Sequence, residues 1–162
     1  MMETNLTIKR LNEKFPASVL EVKTFREEVT ITMPKETILE ICRFLYSDPD
    51  LQYHFLTDLC GVDFFPKNLR FEVVYLLYSM KNNQRVRLKI KVREGESVSS
   101  VESIWKAANW LEREVFDLFG ITFENHPDLR RILLWDGYEG HPLRKDYPVK
   151  GPDFDKPFIP EV

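Results

Sequence analysis

The stretch from Arg85 to Val92 constrains this chain more than any other. Arg85, Arg87, Lys89 and Lys91 alternate one for one with Val86, Leu88, Ile90 and Val92. A helix would split these cations between two opposite sides. An extended strand sorts them onto one face, because its side chains repeat every two residues. The segment therefore predicts a strand with an aliphatic face on a core and a basic face turned outward. Such a face is the ordinary wet side of a one-sided sheet. It is also able to steer an acidic partner, an effect that salt would weaken.

The neighbouring segments extend this sheet. Phe71 to Tyr78 is almost continuously apolar and reads as a central strand covered on both faces, with Lys81-Asn82-Asn83 as the following turn. Phe55 to Phe65 reads as a strand with a bend or bulge at Gly61. Val19 to Lys23 and Val29 to Met33 read as a hairpin around Arg26-Glu27-Glu28. Leu6 to Phe15 is a short amphipathic helix stopped by Pro16. Pro34 suits the first turn of a second helix, which buries Ile38, Ile41, Cys42 and Leu45 and ends at Ser47-Asp48-Pro49. A capping box from Ser99 to Glu102 is expected to open a third helix. Its stripe is Ile104, Ala108, Leu111, Val115 and Leu118, with Gly120 as a left-handed stop and Ile121 as the adjoining apolar contact. The fold class is α+β: two layers, a mixed sheet in the order α-β-β-α-β-β-β-α, helices largely on one face, and an irregular C-terminal extension.

Length and composition exclude several classes. The chain has 162 residues, enough for one domain. Cys42 and Cys60 are its two cysteines, too few for a disulfide scaffold or a four-cysteine metal site, and a reducing compartment is expected. The longest apolar run, Val73 to Tyr78, is far below the roughly 20 residues of a membrane span. The first residues resemble neither a secretory signal nor a transit peptide. A net charge of -3 argues against general nucleic-acid binding. The expectation is a soluble chain that meets a membrane only through a partner.

Residues 1–120 are expected to form the α+β domain and residues 121–162 a tail. The tail holds six of the ten prolines, and also Phe123, Trp135, Tyr138, Tyr147, Phe154 and Phe158. Proline at this density blocks regular structure, yet so many aromatics do not suit a solvated linker. Ordering its 42 residues costs about 40 kcal/mol, which takes roughly 1600 Å² of apolar burial to offset. With no core of its own, the tail is expected to pack largely on a partner.

The candidate chemical groups are few. Glu112-Arg113-Glu114-Val115-Phe116-Asp117 is densely charged; Arg113 and Asp117 have the spacing of a surface helix pair. Acid–base work is the alternative to a solvated or interface-facing helix side. Trp105 and Trp110 read as core or interface anchors, and His54 as structural. His126, Asp128 and His141 are possible metal ligands, but their loop setting lacks helical spacing. Anchoring of loops is the commoner role. Arg130-Arg131 and Arg144-Lys145 are suited to an anion or to a partner's carboxylates. No phosphate loop, dinucleotide fingerprint, nucleophile elbow or cysteine cluster is present. Both cysteines are expected to be buried thiols.

One pattern is more specific. Glu112-Arg113-Glu114, two residues, Asp117-Leu118-Phe119, six residues, His126, three residues, Arg130, one residue, then Ile132-Leu133 resembles the signature of a known family. So does Gly140-His141-Pro142-Leu143-Arg144-Lys145-Asp146-Tyr147-Pro148. The family is the C (30-kilodalton) subunit of proton-translocating NADH:quinone oxidoreductase, respiratory complex I, in its stand-alone form.

The resemblance implies a peripheral-arm subunit beside the D subunit, which helps form the quinone site. It implies no catalytic, cofactor-binding or metal residue in this chain. NADH, FMN, iron–sulfur clusters and quinone belong to the whole complex, which passes electrons from NADH to quinone and translocates ions. Glu112, Arg113, Glu114, Asp117, His126, Arg130, Arg131, His141, Arg144, Lys145, Asp146 and Tyr147 are then expected to be partner-interface residues. The expected location is the cytoplasmic side of a bacterial inner membrane. The alternatives are the equivalent subunit of a membrane-bound hydrogenase or photosynthetic dehydrogenase-like complex, a metal-dependent hydrolase using His126, Asp128 and His141, and an adaptor outside respiration.

Overall fold

The structure is a computed structural model that describes residues 6–150. Phe154 and Phe158 of the tail lie outside the described residues. In chain order the elements are α1 (Leu6–Lys14), β1 (Glu21–Phe25), β2 (Glu28–Met33), α2 (Ile38–Ser47), β3 (Phe55–Asp63), β4 (Phe71–Ser79), β5 (Gln84–Val92), β6 (Ser97–Ser99), α3 (Ala108–Phe119) and β7 (Thr122–Glu124).

Five strands form one mixed sheet in the order β1-β2-β5-β4-β3. The β2–β5 pair is parallel and the others are antiparallel. The alternating segment, β5, is thus the middle strand; the apolar β4 beside it is also interior, but helices cover one of its faces and not both. Val86, Leu88, Ile90 and Val92 join Ile38, Ile41, Cys42, Leu45, Val115 and Phe119 in one core. The helices cover that face, as the period-two pattern requires.

The β1–β2 hairpin turns through Arg26 and Glu27, both at positive φ, so β1 extends two residues further than its β-branched run. Pro34 precedes a short 3-10 turn, Lys35–Thr37, instead of opening α2 directly. Asp48 ends α2: its Oδ1 accepts the N–H groups of Asp50 and Leu51 at 2.9 and 3.1 Å.

Three local expectations are corrected. The register shift in β3 lies between Leu56 and Asp58, not at Gly61. Gly61 serves close approach instead: a Cβ there would stand 2.8 Å from the Phe119 ring of α3. No Ser99–Glu102 capping box forms. Ser99 ends β6, residues 101–107 make successive turns, and α3 begins at Ala108. Strand β7 also falls inside the proline-rich tail, paired in parallel with β6.

Gly120 does stop α3, at φ 75°, and its N–H donates to the Phe116 carbonyl at 2.9 Å. Ile121 beyond it is buried. Among the described residues no helix is long and apolar enough to cross a membrane.

Candidate functional site

Helix α3 organises the site, because two of its carboxylates are fully buried. Glu112 accepts the Ser100 hydroxyl at 2.6 Å and the Val101 N–H at 2.8 Å. This long-range clamp replaces the local capping box: it fastens the turns before α3 to the helix's second turn. Burial pushes the Glu112 carboxyl up to about 7, against the pull of those two donors.

Asp117 fastens the tail. Its Oδ2 accepts the N–H groups of Ile132, Leu133 and Leu134 at 3.0, 2.8 and 2.9 Å. Its Oδ1 accepts Arg131 at 2.6 Å. Burial alone would raise this carboxyl, but the three N–H groups and Arg131 outweigh it and hold it below its ordinary value. The expected Arg113–Asp117 surface pair does not form. Arg113 reaches across to the carbonyls of Arg130 and Arg131 at 3.1 and 2.9 Å. Neither Glu112 nor Asp117 is on a solvated helix side, because each has backbone donors to satisfy inside the chain. Glu114 is exposed.

The rest of the signature continues this fastening. Arg131 also donates to the carbonyls of Tyr138 and Gly140. His141 Nδ1 lies 2.8 Å from the Asp117 carbonyl, and burial holds its imidazole below the usual value. Arg144 donates to the Phe119 carbonyl at 2.7 Å and to Glu94 at 2.7 Å. A Cβ on Gly120 would come within 2.6 Å of both Arg144 and His141. The glycine thus ends the helix and lets the tail cross over it. His126 accepts the Asp128 N–H at Nδ1, 3.0 Å, and meets the Asn109 carbonyl with Nε2, 3.0 Å. Arg130 pairs with Asp128 at the surface. Tyr147 and Tyr138 join hydroxyls at 2.6 Å.

A second anchor has no signal in the sequence. Arg70 is buried at the mouth of β4 and grips Asp63 with two bonds, at 3.1 and 2.9 Å. It also binds Glu94 at 2.9 Å and both oxygens of Asp146. Asp63 in turn accepts the main-chain N–H of Lys145 at 2.9 Å. Burial opposes ionisation of Asp63, but Arg70 and the N–H groups of Lys145 and Phe65 prevail and lower its pKa. Arg70 likewise lowers that of Asp146. The Arg70–Asp146 pairing joins residues 76 positions apart, so nothing local marks it.

These contacts bring most of the signature residues together around the C-terminal half of α3. Among the described residues no three His, Cys, Asp or Glu side chains converge as a metal site would require. His126, Asp128 and His141 are not joined as the hydrolase alternative needs. Cys42 is buried, whereas Cys60 is only half-buried. Trp105 is a core residue whose indole N–H donates to the Tyr53 carbonyl at 3.1 Å.

Ile121 and Phe123 at the start of the tail are buried, but further along, where Arg131, His141 and Arg144 turn inward, several apolar groups turn out. Leu133, Trp135 and Leu143 are each more than half exposed, and Trp110 on α3 is 70% exposed. Trp110 lies one turn before Arg113, whose guanidinium holds the carbonyls of residues 130 and 131.

Comparison with known proteins gives this surface a context. Residues 31–153 match the family described as respiratory-chain NADH dehydrogenase, 30 Kd subunit. The C subunit of the NADH-quinone oxidoreductase of Geobacter metallireducens is 56% identical over 94% of this chain and 94% of its own. That of Geotalea uraniireducens is 53% identical over 94% and 93%. A chain in the structure of the membrane-bound sulfane sulfur reductase, an archaeal respiratory membrane complex, has a TM-score of 0.73 and 26% identity. The alignment covers 88% of this chain and 84% of that one.

Proposed function

Because the chain belongs to the 30 Kd subunit family of the respiratory-chain NADH dehydrogenase, we propose that it is a non-redox structural subunit of NADH:quinone oxidoreductase. It sits in the peripheral arm beside the D subunit, on the cytoplasmic side of a bacterial inner membrane. It has no active site or cofactor of its own and supports electron transfer from NADH to quinone by holding its neighbours in place.

The observation that carries this reading is the division of labour in the tail. Asp117 and Asp63 hold its main-chain N–H groups, and Arg131, His141, Arg144 and Asp146 tie its side chains to the body. Leu133, Trp135, Leu143 and Trp110 then face outward, uncovered by the described residues. An apolar surface held so firmly, at such a cost in hydration, suits a neighbouring subunit. The partner-interface residues of the signature divide accordingly. Glu112 and Asp117 act indirectly, by shaping the surface, and exposed Glu114, Arg130 and Lys145 meet the neighbour. The reductase likeness supports the equivalent subunit of a related complex as a second reading. The much higher identity to the NADH-quinone oxidoreductase relatives favours the first.

The test is purification through an N-terminal tag from membranes in mild detergent. Recovery of a large complex with NADH-to-quinone activity, lost in a Leu133→Asp, Trp135→Asp double variant, is the expected result. Recovery of the chain alone, or an equal yield of complex from the double variant, would overturn the reading.

A further inference from the structure

The helices cover one face of the sheet only, and the other face is built in two unlike halves. On β3 and β4 it carries Phe55, Cys60, Val62, Val74, Leu76 and Tyr78, as the pairings Phe55↔Tyr78, Cys60↔Val74 and Asp58↔Leu76 require. On β5 it carries the row Arg85, Arg87, Lys89 and Lys91, opposite Tyr78, Leu76, Val74 and Glu72. Phe55 is 49% exposed, Cys60, Val62, Leu76 and Tyr78 are half-buried, and Val74 is buried between its neighbours. No described helix lies over this face.

The charges are partly balanced from within. Arg87 pairs with Glu28 at 3.0 Å and Lys89 with Glu72 at 3.1 Å. Glu21 holds Lys23 at 2.9 Å. Arg85 and Lys91, at the two ends of the row, have no carboxylate within ion-pair distance among the described residues. Asp58, an acid of the same face, has no cation within that distance among the described residues, and its Oδ1 is taken by the Leu59 N–H at 2.8 Å. The face thus carries a surplus positive charge on a chain whose net charge is -3. A depression of about 260 Å³ opens where the two halves meet, lined by Glu28, Thr57, Asp58, Leu76, Arg85 and Arg87. It has the size to receive one large side chain.

We propose that this open sheet face is a second protein-docking surface, distinct from the tail side. Its occupant is a neighbouring protein segment that sets an apolar ridge on β3–β4, inserts one large side chain into the depression and places carboxylates over Arg85 and Lys91. Its strands run from five to nine residues. Spaced about 4.8 Å apart, they present roughly 600 Å² in all. That approaches the ~800 Å² per partner of a standard interface. Apolar residues flanked by unneutralised cations are the pattern of a core with a steering rim. The chain then bridges two neighbours, one on each side. The inference rests on the reading above, that the chain works inside an assembly.

Cys60 provides the probe, since Cys42 is fully buried and serves as the silent control. Maleimide labelling is followed on the full chain, free and in the purified complex, alongside a Leu133→Cys chain that reports on the tail side. The expected result is labelling of Cys60 in the free chain and at least about tenfold slower labelling in the complex. Carbodiimide coupling of the complex is expected to join Lys91 to an Asp or Glu of another subunit. Equal labelling of Cys60 in both states, with Leu133→Cys protected, would overturn the inference and leave the proposed function standing. Equal labelling at both positions would defeat both. Coupling of Lys91 to a second copy of this chain would also overturn the inference.

Discussion

Replacing Asp117 with alanine is the sharpest perturbation of the tail. The carboxylate serves three main-chain N–H groups and one guanidinium, all within 3.0 Å. A buried donor left unsatisfied costs about 1–3 kcal/mol, so three orphaned amides would sum to roughly 3–9 kcal/mol if the tail stayed in place. The tail has a cheaper escape, which is to lift off and hydrate those amides. Asp117→Ala is therefore expected to undock residues 131–134, while the Arg70 and Asp63 anchor at Lys145 and Asp146 and the sheet itself stay in place. By hydrogen exchange, amide protection at Ile132, Leu133 and Leu134 should fall about 100-fold or more, the equivalent of about 3 kcal/mol. Protection in β4 and β5 should persist. Asp117→Asn should fall between, because its oxygen can still take the three N–H groups while its NH₂ opposes Arg131. Unchanged protection at 132–134 in the alanine variant would refute the fastening argument. The pH sense follows from the lowered pKa. The fastening is fully present above the ordinary value of 3.8 and is lost as pH falls below it.

Other outcomes follow from the same contacts. Glu112 titrates the opposite way: its folded pKa is raised to about 7 from 4.5, so it favours stability at low pH and loses about 3 kcal/mol as pH rises between those values. Glu112→Gln should flatten that slope in urea melts at about pH 5 and pH 8; an unaltered slope would exclude Glu112 as its source. Arg70→Met should cost about 3 kcal/mol by denaturant titration, since it leaves Asp63 buried without its cation. A loss below about 1 kcal/mol would show Asp63 adequately held by its N–H donors. Gly120→Ala should cost about 1–2 kcal/mol for the left-handed backbone alone. It should also displace His141 and Arg144, read as faster proteolysis of the tail; an intact tail would contradict the crossing geometry.

Periodicity is enough to place the five-stranded sheet and the first two helices, because burial on one face is a local property of the pattern. Arg85 to Val92, the α2 stripe and the Gly120 stop are all where local rules put them. The expectations that fail are those that depend on partners distant in the chain. Ser100 finds its carboxylate 12 residues away at Glu112, and the nearby Glu102 does not close a capping box. Arg113 leaves its i+4 partner because Asp117 has three backbone donors to serve. Gly61 suggests a bulge, since a strand glycine signals either a bulge or a close approach, and only the position of Phe119 decides between them. The signature residues are legible as a group through the family resemblance. That they fasten the tail to α3 emerges only from the tertiary contacts. Arg70 and Asp63 carry no local mark at all.

The subunit interface proposed for the outward surface of the tail is testable in the assembled complex. The most direct measurement places a photo-crosslinking amino acid at Trp135 of the full chain in native membranes and identifies the adduct by mass spectrometry. One dominant adduct with the D subunit of the same complex is the expected result. Efficient incorporation with no protein adduct, or an adduct only with a second copy of this chain, would contradict it.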